Sequence, residues 1–256
     1  MKQRIISGAI IAAVTIVLVL LGGIPFKLFG LFMAIWGSYE FASARIKKIN
    51  KIEFYLMLAF TILVNLFFDK AIGFVIMLLI VLFAYAIFDE KETIEDFVVT
   101  FIESLILGFG IHYLIEIEDL SKPLMAYVII IVYLTDVFAL FIGMYFGKHK
   151  LNERVSPKKT IEGAIGGWAV SAIISFLFAL CCKFFYMNPL FIGLCSLVLP
   201  LITEVGDLAF SLIKRHYGIK DFSNLIPGHG GLLDRFDSLI FVVLVYGALA
   251  SIFGIY

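Results

Sequence analysis

Three carboxylates, Asp207, Asp234 and Asp237, stand late in a chain of 256 residues among Lys214, Arg215, Lys220, His229 and Arg235. Asp234 and Asp237 are three apart at the start of an expected helix, so they project from one face. Asp207 falls inside an apolar run beside Gly206, where an unpaired carboxylate would cost several kcal/mol, and apolar helices rarely keep an idle one. Hard carboxylate oxygens of this kind suit Mg²⁺, and Asp136 and Glu204 are candidates to join them. Gly228, Gly230 and Gly231 precede a helix start. Exposed backbone N–H groups leading into a helix N-terminus, with cations around them, form a phosphate cradle. Acidic metal ligands beside basic phosphate ligands are the parts that phosphoryl or nucleotidyl transfer requires.

A second polar stretch, Gly147 to Gly167, reads GKHKLNERVSPKKTIEGAIGG. Lys148, Lys150, Lys158 and Lys159 surround Ser156, Pro157 and Thr160, and Gly163, Gly166 and Gly167 open the next helix. A basic loop beside lipid binds anionic headgroups in general, and small residues also serve close helix packing. Beside a metal site, the loop suggests an anionic lipid or a nucleoside triphosphate.

Each element also has a plainer role. Asp234 and Asp237 would favour any helix N-terminus. Lys214 and Arg215 would serve as inner-leaflet anchors, and His229 as a turn residue. Cys181, Cys182 and Cys195 form no CxxC pair and lie in apolar segments, so they read as small core residues. Glu95, Asp96 and Glu103 read as interfacial or packing charges. The combination carries the chemistry.

The elements that must position these residues are membrane helices. The chain is 62% apolar and 16% charged, against roughly 25% charged in soluble domains, and its mean hydropathy is +1.06. Apolar runs long enough to cross a bilayer recur along it, so the expected fold is an all-α polytopic membrane protein. Nine transmembrane helices are expected: Ile5–Leu21, Phe26–Ala44, a short third Phe54–Phe68, Ala71–Phe88, Ile94–Ile115, Leu124–Phe146, Ile161–Tyr186, Pro189–Tyr217, and Leu232 to the C-terminus. The first reads as a retained span, because Leu21-Gly-Gly-Ile-Pro-Phe offers no small-x-small cleavage site. No linker or repeat interrupts the series, so residues 1–256 read as one membrane-embedded domain, with 1–120 as N-terminal helices and 121–256 as catalytic helices and loops.

Basic residues set the orientation. With the N-terminus cytoplasmic, inner loops hold sixteen: Lys2, Arg4, Arg45, Lys47, Lys48, Lys51, Lys91, Lys148, Lys150, Arg154, Lys158, Lys159, Lys214, Arg215, Lys220 and Arg235. The outer side keeps Lys27, Lys70, Lys122 and Lys183. That bias is the positive-inside pattern. It places both long polar loops in the cytoplasm and, with an odd helix count, the C-terminus outside. Formal net charge is zero, so no global field draws nucleic acid.

Ser211 through Asp237, SLIKRHYGIKDFSNLIPGHGGLLDRFD, resembles the signature of the phosphatidate cytidylyltransferase (CDP-diacylglycerol synthase) family at every specified position. The Gly147–Gly167 stretch is similar to the family's second characteristic region. The resemblance implies transfer of CMP from CTP to phosphatidic acid, giving CDP-diacylglycerol and pyrophosphate for phospholipid synthesis. It implies Mg²⁺ as cofactor, a second cation being left open, with membrane lipids around a site that faces the cytoplasm of the cell membrane. By position it implies Asp207, Asp234 and Asp237 as the metal and catalytic acids, with Lys214 and Lys220 as catalytic cations. Ser156, Lys158, Lys159, Thr160, Arg215, His229, Gly230, Gly231, Arg235 and Asp136 would bind substrate. Small residues on the helices permit a homodimer.

One departure stands in the sixth helix. The family shows Asp, then Ser or Thr, with Tyr three residues later, whereas Asp136 here is followed by Val137, with Leu140 in the Tyr position. Three rivals remain: a CTP-dependent kinase of a polyisoprenol or similar lipid alcohol, a cation-coupled transporter that uses the intramembrane acids, and a catalytically weakened homologue.

Overall fold

A computed structural model describes residues 2–44, 50–90, 92–182, 184, 188–226 and 230–255, with backbone alone for 2–9 and 12. His229 therefore lies outside the described residues, as do Gly228 and, from the charge pattern, Arg45, Lys47, Lys48, Lys91 and Lys183. The described residues form helices α1 (Lys2–Leu21), α2 (Gly23–Ala44), α3 (Lys51–Leu66), α4 (Ala71–Phe88), α5 (Ile94–Leu120), α6 (Lys122–Phe146), α7 (Ile161–Cys181), α8 (Pro189–His216) and α9 (Leu233–Ile252). A two-stranded hairpin, β1 (Lys150–Asn152) and β2 (Ser156–Thr160), joins α6 to α7.

The described residues are all-α apart from that hairpin and a single bridge between Ile226 and Gly230. Among the described residues, six helical segments are long and apolar enough to cross a bilayer: Phe68–Phe88, which is α4 with the turn before it, and α5 to α9. A multi-pass membrane protein follows. The third helix was expected to be short, and α3 has 16 residues. At 1.5 Å per residue it is about 24 Å long, less than a bilayer core of about 30 Å. Its start is set by Asn50, whose side chain accepts from the amides of Ile52 and Glu53, an N-cap.

The chain divides into two compact units, Met1–Glu116 with Asp221–Arg235, and Ile117–Lys220 with Phe236–Tyr256. In the first, Phe60, Val64, Leu78, Leu82 and Phe97 form a buried cluster between α3, α4 and α5. Gly108 admits the Phe60 ring, which a Cβ there would meet at 2.7 Å.

The second unit is built on close contact of α6 with α7. A Cβ on Gly163 would lie 2.6 Å from the Ala139 carbonyl, and one on Gly167 2.7 Å from that of Thr135. These glycines are packing residues, the role small residues play between membrane helices. Ser171 Oγ donates to the Ile131 carbonyl at 3.0 Å and closes the same seam lower down. Helix α8 contains Pro200, whose missing N–H leaves a gap in the helical ladder. Trp168 Nε1 donates to the Leu197 carbonyl in the preceding turn at 2.8 Å. Gly206 brings α8 against α9, since a Cβ there would lie 2.9 Å from that of Phe241 and 3.0 Å from the Ser238 Cα.

Candidate functional site

The hairpin between α6 and α7 is pinned at both ends. Asn152 Oδ1 accepts from the Val155 amide at 3.1 Å and shapes the turn. Glu162 Oε2 accepts from the amides of Lys148 and His149 at 3.0 and 3.2 Å, and Oε1 lies 2.6 Å from His149 Nδ1. Thr160 ends β2 and caps α7, its hydroxyl accepting from the Gly163 amide at 3.2 Å. The same side chain fills the space left by Gly143 and Gly147. Thr160→Ala therefore costs about 1 kcal/mol of stability, the usual worth of an N-cap. It shows as a lowered thermal midpoint, while Thr160→Ser, which keeps the capping hydroxyl but not the methyl beside Gly147, recovers most of the loss.

This frame delivers Lys159 to α8. Its Nζ lies 2.7 Å from Glu204 Oε2 and 2.6 Å from Asp207 Oδ2, with the lysine side chain one-fifth exposed. Glu204 and Asp207 are three apart on one helix face, so a single ammonium meets both. Burial by itself lowers the lysine's proton affinity, but the charges of Asp207 and Glu204 outweigh it and hold the ammonium at about 12. Glu204 Oε1 is buried without a hydrogen-bond partner among the described residues. Asp136 on α6 shares this electrostatic environment, with Lys159, Asp237, Asp207 and Glu204 as the charges that act on it. Asp237 Oδ1 accepts from the Ser238 amide at 2.8 Å. Val137 and Leu140, the departures beside Asp136, are exposed on the outer surface of α6.

The end of α8 positions the next cations. Gly218 takes a left-handed φ of 65°. The Gly218 amide donates to Arg215 and the Ile219 amide to Lys214, the glycine-terminated helix ending. The Arg215 guanidinium donates to the Ile219 carbonyl at 2.8 Å and reinforces the turn. Lys214 is buried in the last turn, whereas Lys158 and Lys220 are exposed.

In the other unit, Asp221–Arg235 folds on itself. Ile226 and Gly230 exchange both backbone hydrogen bonds, at 2.9 and 3.1 Å. Asp234 Oδ2 accepts from the amides of Phe222 and Gly231 at 2.9 and 2.8 Å. Gly230 has φ 88°, and a Cβ there would lie 2.8 Å from that same oxygen. Glu40 on α2 completes the arrangement by accepting from the amides of Leu232 and Leu233 at 2.8 and 2.7 Å. The amides from Gly230 to Leu233 thus all donate within the unit, and the glycines matter sterically. Arg235 is exposed. Glu40 is absent from the sequence-derived site, although a lone acid within an apolar helix was signal enough.

Lys159, Glu204 and Asp207 are brought into contact, Asp136 and Asp237 share their field, and Asp234 binds the glycine loop. Ser156 is half-buried in β2. Among the described residues, no three His, Cys, Asp or Glu side chains form a ready-made metal cluster.

Against this geometry, residues 2–253 match the model of the cytidylyltransferase family. The chain belongs to that family. It is 31% identical over 269 residues to the phosphatidate cytidylyltransferase of Bacillus subtilis, a match covering 99% of each chain. It is 30% identical over 251 residues to the Staphylococcus epidermidis protein of the same name, covering 95% of this chain and 96% of that one. A Staphylococcus aureus cytidylyltransferase of that name reaches 43% over 137 residues, about half of either chain.

Proposed function

We propose that this chain transfers CMP from CTP to phosphatidic acid, releasing pyrophosphate and leaving CDP-diacylglycerol in the membrane. The observation that carries the proposal is full-length similarity to proteins named for that reaction, joined to a lysine held between two helix carboxylates.

A phosphatidate oxygen forms the new bond to the α-phosphorus of CTP as the bond from that phosphorus to the β-phosphate oxygen breaks. A phosphate is a competent nucleophile at neutral pH, so no dedicated base is required. What the protein supplies is positioning and fixed charge. Lys159 is charged throughout the working range of pH and is aimed by the hairpin. Ser156, Lys158, Lys214, Lys220, Arg215, His229 and Arg235 are proposed to meet phosphate groups or hold the loops that do. Because the amides of Gly230 to Leu233 donate to internal acceptors, side-chain cations take the larger share of phosphate binding.

The donor chemistry in the second unit fits a hard divalent cation. Glu204 and Asp207 together carry more negative charge than Lys159 neutralises, and Glu204 Oε1 is an orphaned buried oxygen. Asp207, Asp234 and Asp237 are the proposed Mg²⁺ ligands, an assignment supported by the sequence motif, with a second cation left open. Bound Mg²⁺ would neutralise phosphate oxygens as charge develops on them.

In the cell membrane the proposed topology has nine spans, a cytoplasmic N-terminus and both polar stretches on the cytoplasmic side, supported by the sixteen-to-four distribution of basic residues. A homodimer through small helix residues belongs to the same proposal.

Detergent-solubilised protein, given phosphatidic acid, α-labelled CTP and Mg²⁺, should place label in the lipid fraction with one pyrophosphate per labelled lipid. CDP release with unlabelled lipid would instead identify a lipid kinase and overturn the proposal.

A further inference from the structure

The side chain of Glu40 is fully buried near the C-terminal end of α2, as the one acid of a mostly apolar helix. Burying a carboxylate is costly unless its oxygens are satisfied, and here four donors satisfy them. Trp36 Nε1 donates from one turn earlier at 3.0 Å, and Ser223 Oγ from the loop at 2.6 Å. The amides of Leu232 and Leu233 donate from the start of α9 at 2.8 and 2.7 Å. Hydrogen bonds to an ionised acceptor are roughly twice as strong as neutral ones, and a negative charge suits a helix N-terminus.

The segment's shape depends on that carboxylate. A Cβ on Gly231 would lie 2.8 Å from the Glu40 Cδ, so the chain comes this close only without a side chain. From within the segment, Asp234 holds the Phe222 and Gly231 amides. Glu40 and Asp234 therefore clamp the loop between them, one from α2 and one from the loop's own end. Arg235 of the motif follows Asp234 directly in the chain.

We infer that Glu40 is a positioning residue for cytidylyl transfer, a buried carboxylate that fixes the Asp221–Arg235 segment by gathering Ser223 and the first amides of α9. The inference rests on the proposed function, because the segment's chemistry comes from that reading. Glutamine in this place keeps the shape but offers one acceptor oxygen to donors that use two, and it adds an N–H₂ facing the donors. Displacing a catalytic segment by an ångström costs as much as a hundredfold in rate.

The test compares wild type, Glu40→Gln and Ser223→Ala as full-length protein in detergent. It measures hydrogen exchange at the Leu232 and Leu233 amides, and kcat and KM for CTP per folded molecule. Glu40→Gln is expected to speed exchange at both amides by at least about tenfold and to lower kcat about ten- to a hundredfold, with a smaller change in KM. Ser223→Ala removes one donor and moves both readouts in the same direction by less. It serves as the deciding variant should Glu40→Gln fail to fold. Unchanged exchange, or faster exchange with kcat within about twofold of wild type, overturns the inference. If wild type itself transfers no CMP, the cytidylyl-transfer reading falls, and the exchange rates alone decide whether Glu40 anchors the segment.

Discussion

Asp207→Ala is expected to lower kcat/KM by about a thousandfold, the scale of removing a charged group that acts on the reacting phosphates. The protein should still insert and fold. Lys159 keeps its contact with Glu204 at 2.7 Å when Asp207 is removed, so no buried ammonium is stranded. Asp207 is itself 29% exposed, and its loss leaves a polar opening rather than an apolar cavity. Helix packing at this level is set next door by Gly206 against Ser238 and Phe241, which the substitution leaves alone. Monodisperse elution and a thermal midpoint close to wild type, measured on the preparation assayed for turnover, separate a chemical defect from a folding one. Residual activity within tenfold of wild type would remove Asp207 from the proposed chemistry. Asp207→Asn sharpens the result, since it keeps size and hydrogen bonding and deletes only the charge.

The site was most legible where residue types clash with their surroundings. A carboxylate at Asp207 inside an apolar run has few innocent explanations, and the structure gives it a cation, Lys159, from 48 residues away in the chain. The lysine stretch and the α8 acids could each be picked out, but only the fold pairs Lys159 rather than Lys158 with them. A hairpin alternates side-chain direction, so neighbouring lysines part company. Glu40 carries the same clash, but the clash does not show what it binds. Besides Trp36 one turn earlier, its partners are 183 to 193 residues later, a separation that no periodicity registers, and its local mark was charge in an apolar helix. The resemblance marks Thr160 only as a substrate residue, and its capping role goes unread. Thr-Ile-Glu-Gly ahead of an apolar run is an N-cap pattern, and the structure uses it so. Helix boundaries followed hydropathy closely except at two ends: Glu116, Glu118 and Asp119 continue α5 to Leu120, and α7, expected to reach Tyr186, ends at Cys181.

Of the two changes beside Asp136, Val137 bears on activity less than its chemistry suggests. Val137 and Leu140 are 43% and 61% exposed, on the side of α6 away from its packing against α7. Leu140, four residues after Asp136, shares its helix face, whereas Val137, the next residue, is rotated away from it. Val137→Ser, on the face turned away from Asp136, should leave kcat within about twofold of wild type.

Lys159→Met is expected to be the most destabilising change in the second unit, by about 3 kcal/mol, the cost of deleting one partner of a largely buried pair. Methionine matches the length of the lysine stem but leaves Glu204 and Asp207 with like charges and no cation between them. Glu204 is the costlier of the two, being only 9% exposed, with its second oxygen already unpartnered. Adding Glu204→Gln to Lys159→Met should therefore recover much of the lost stability, giving a strong favourable coupling in a double-mutant cycle of thermal or chemical unfolding. Activity should not return with it, because the same ammonium is proposed to hold phosphate charge during transfer. Lys159→Arg is the informative third member. It keeps the charge but presents a planar fork where the site holds a compact ammonium between two carboxylates, so it should preserve most of the stability and lose a substantial share of kcat. Full activity in Lys159→Met would confine Lys159 to structure and move the phosphate-binding role to Lys214 and Lys158.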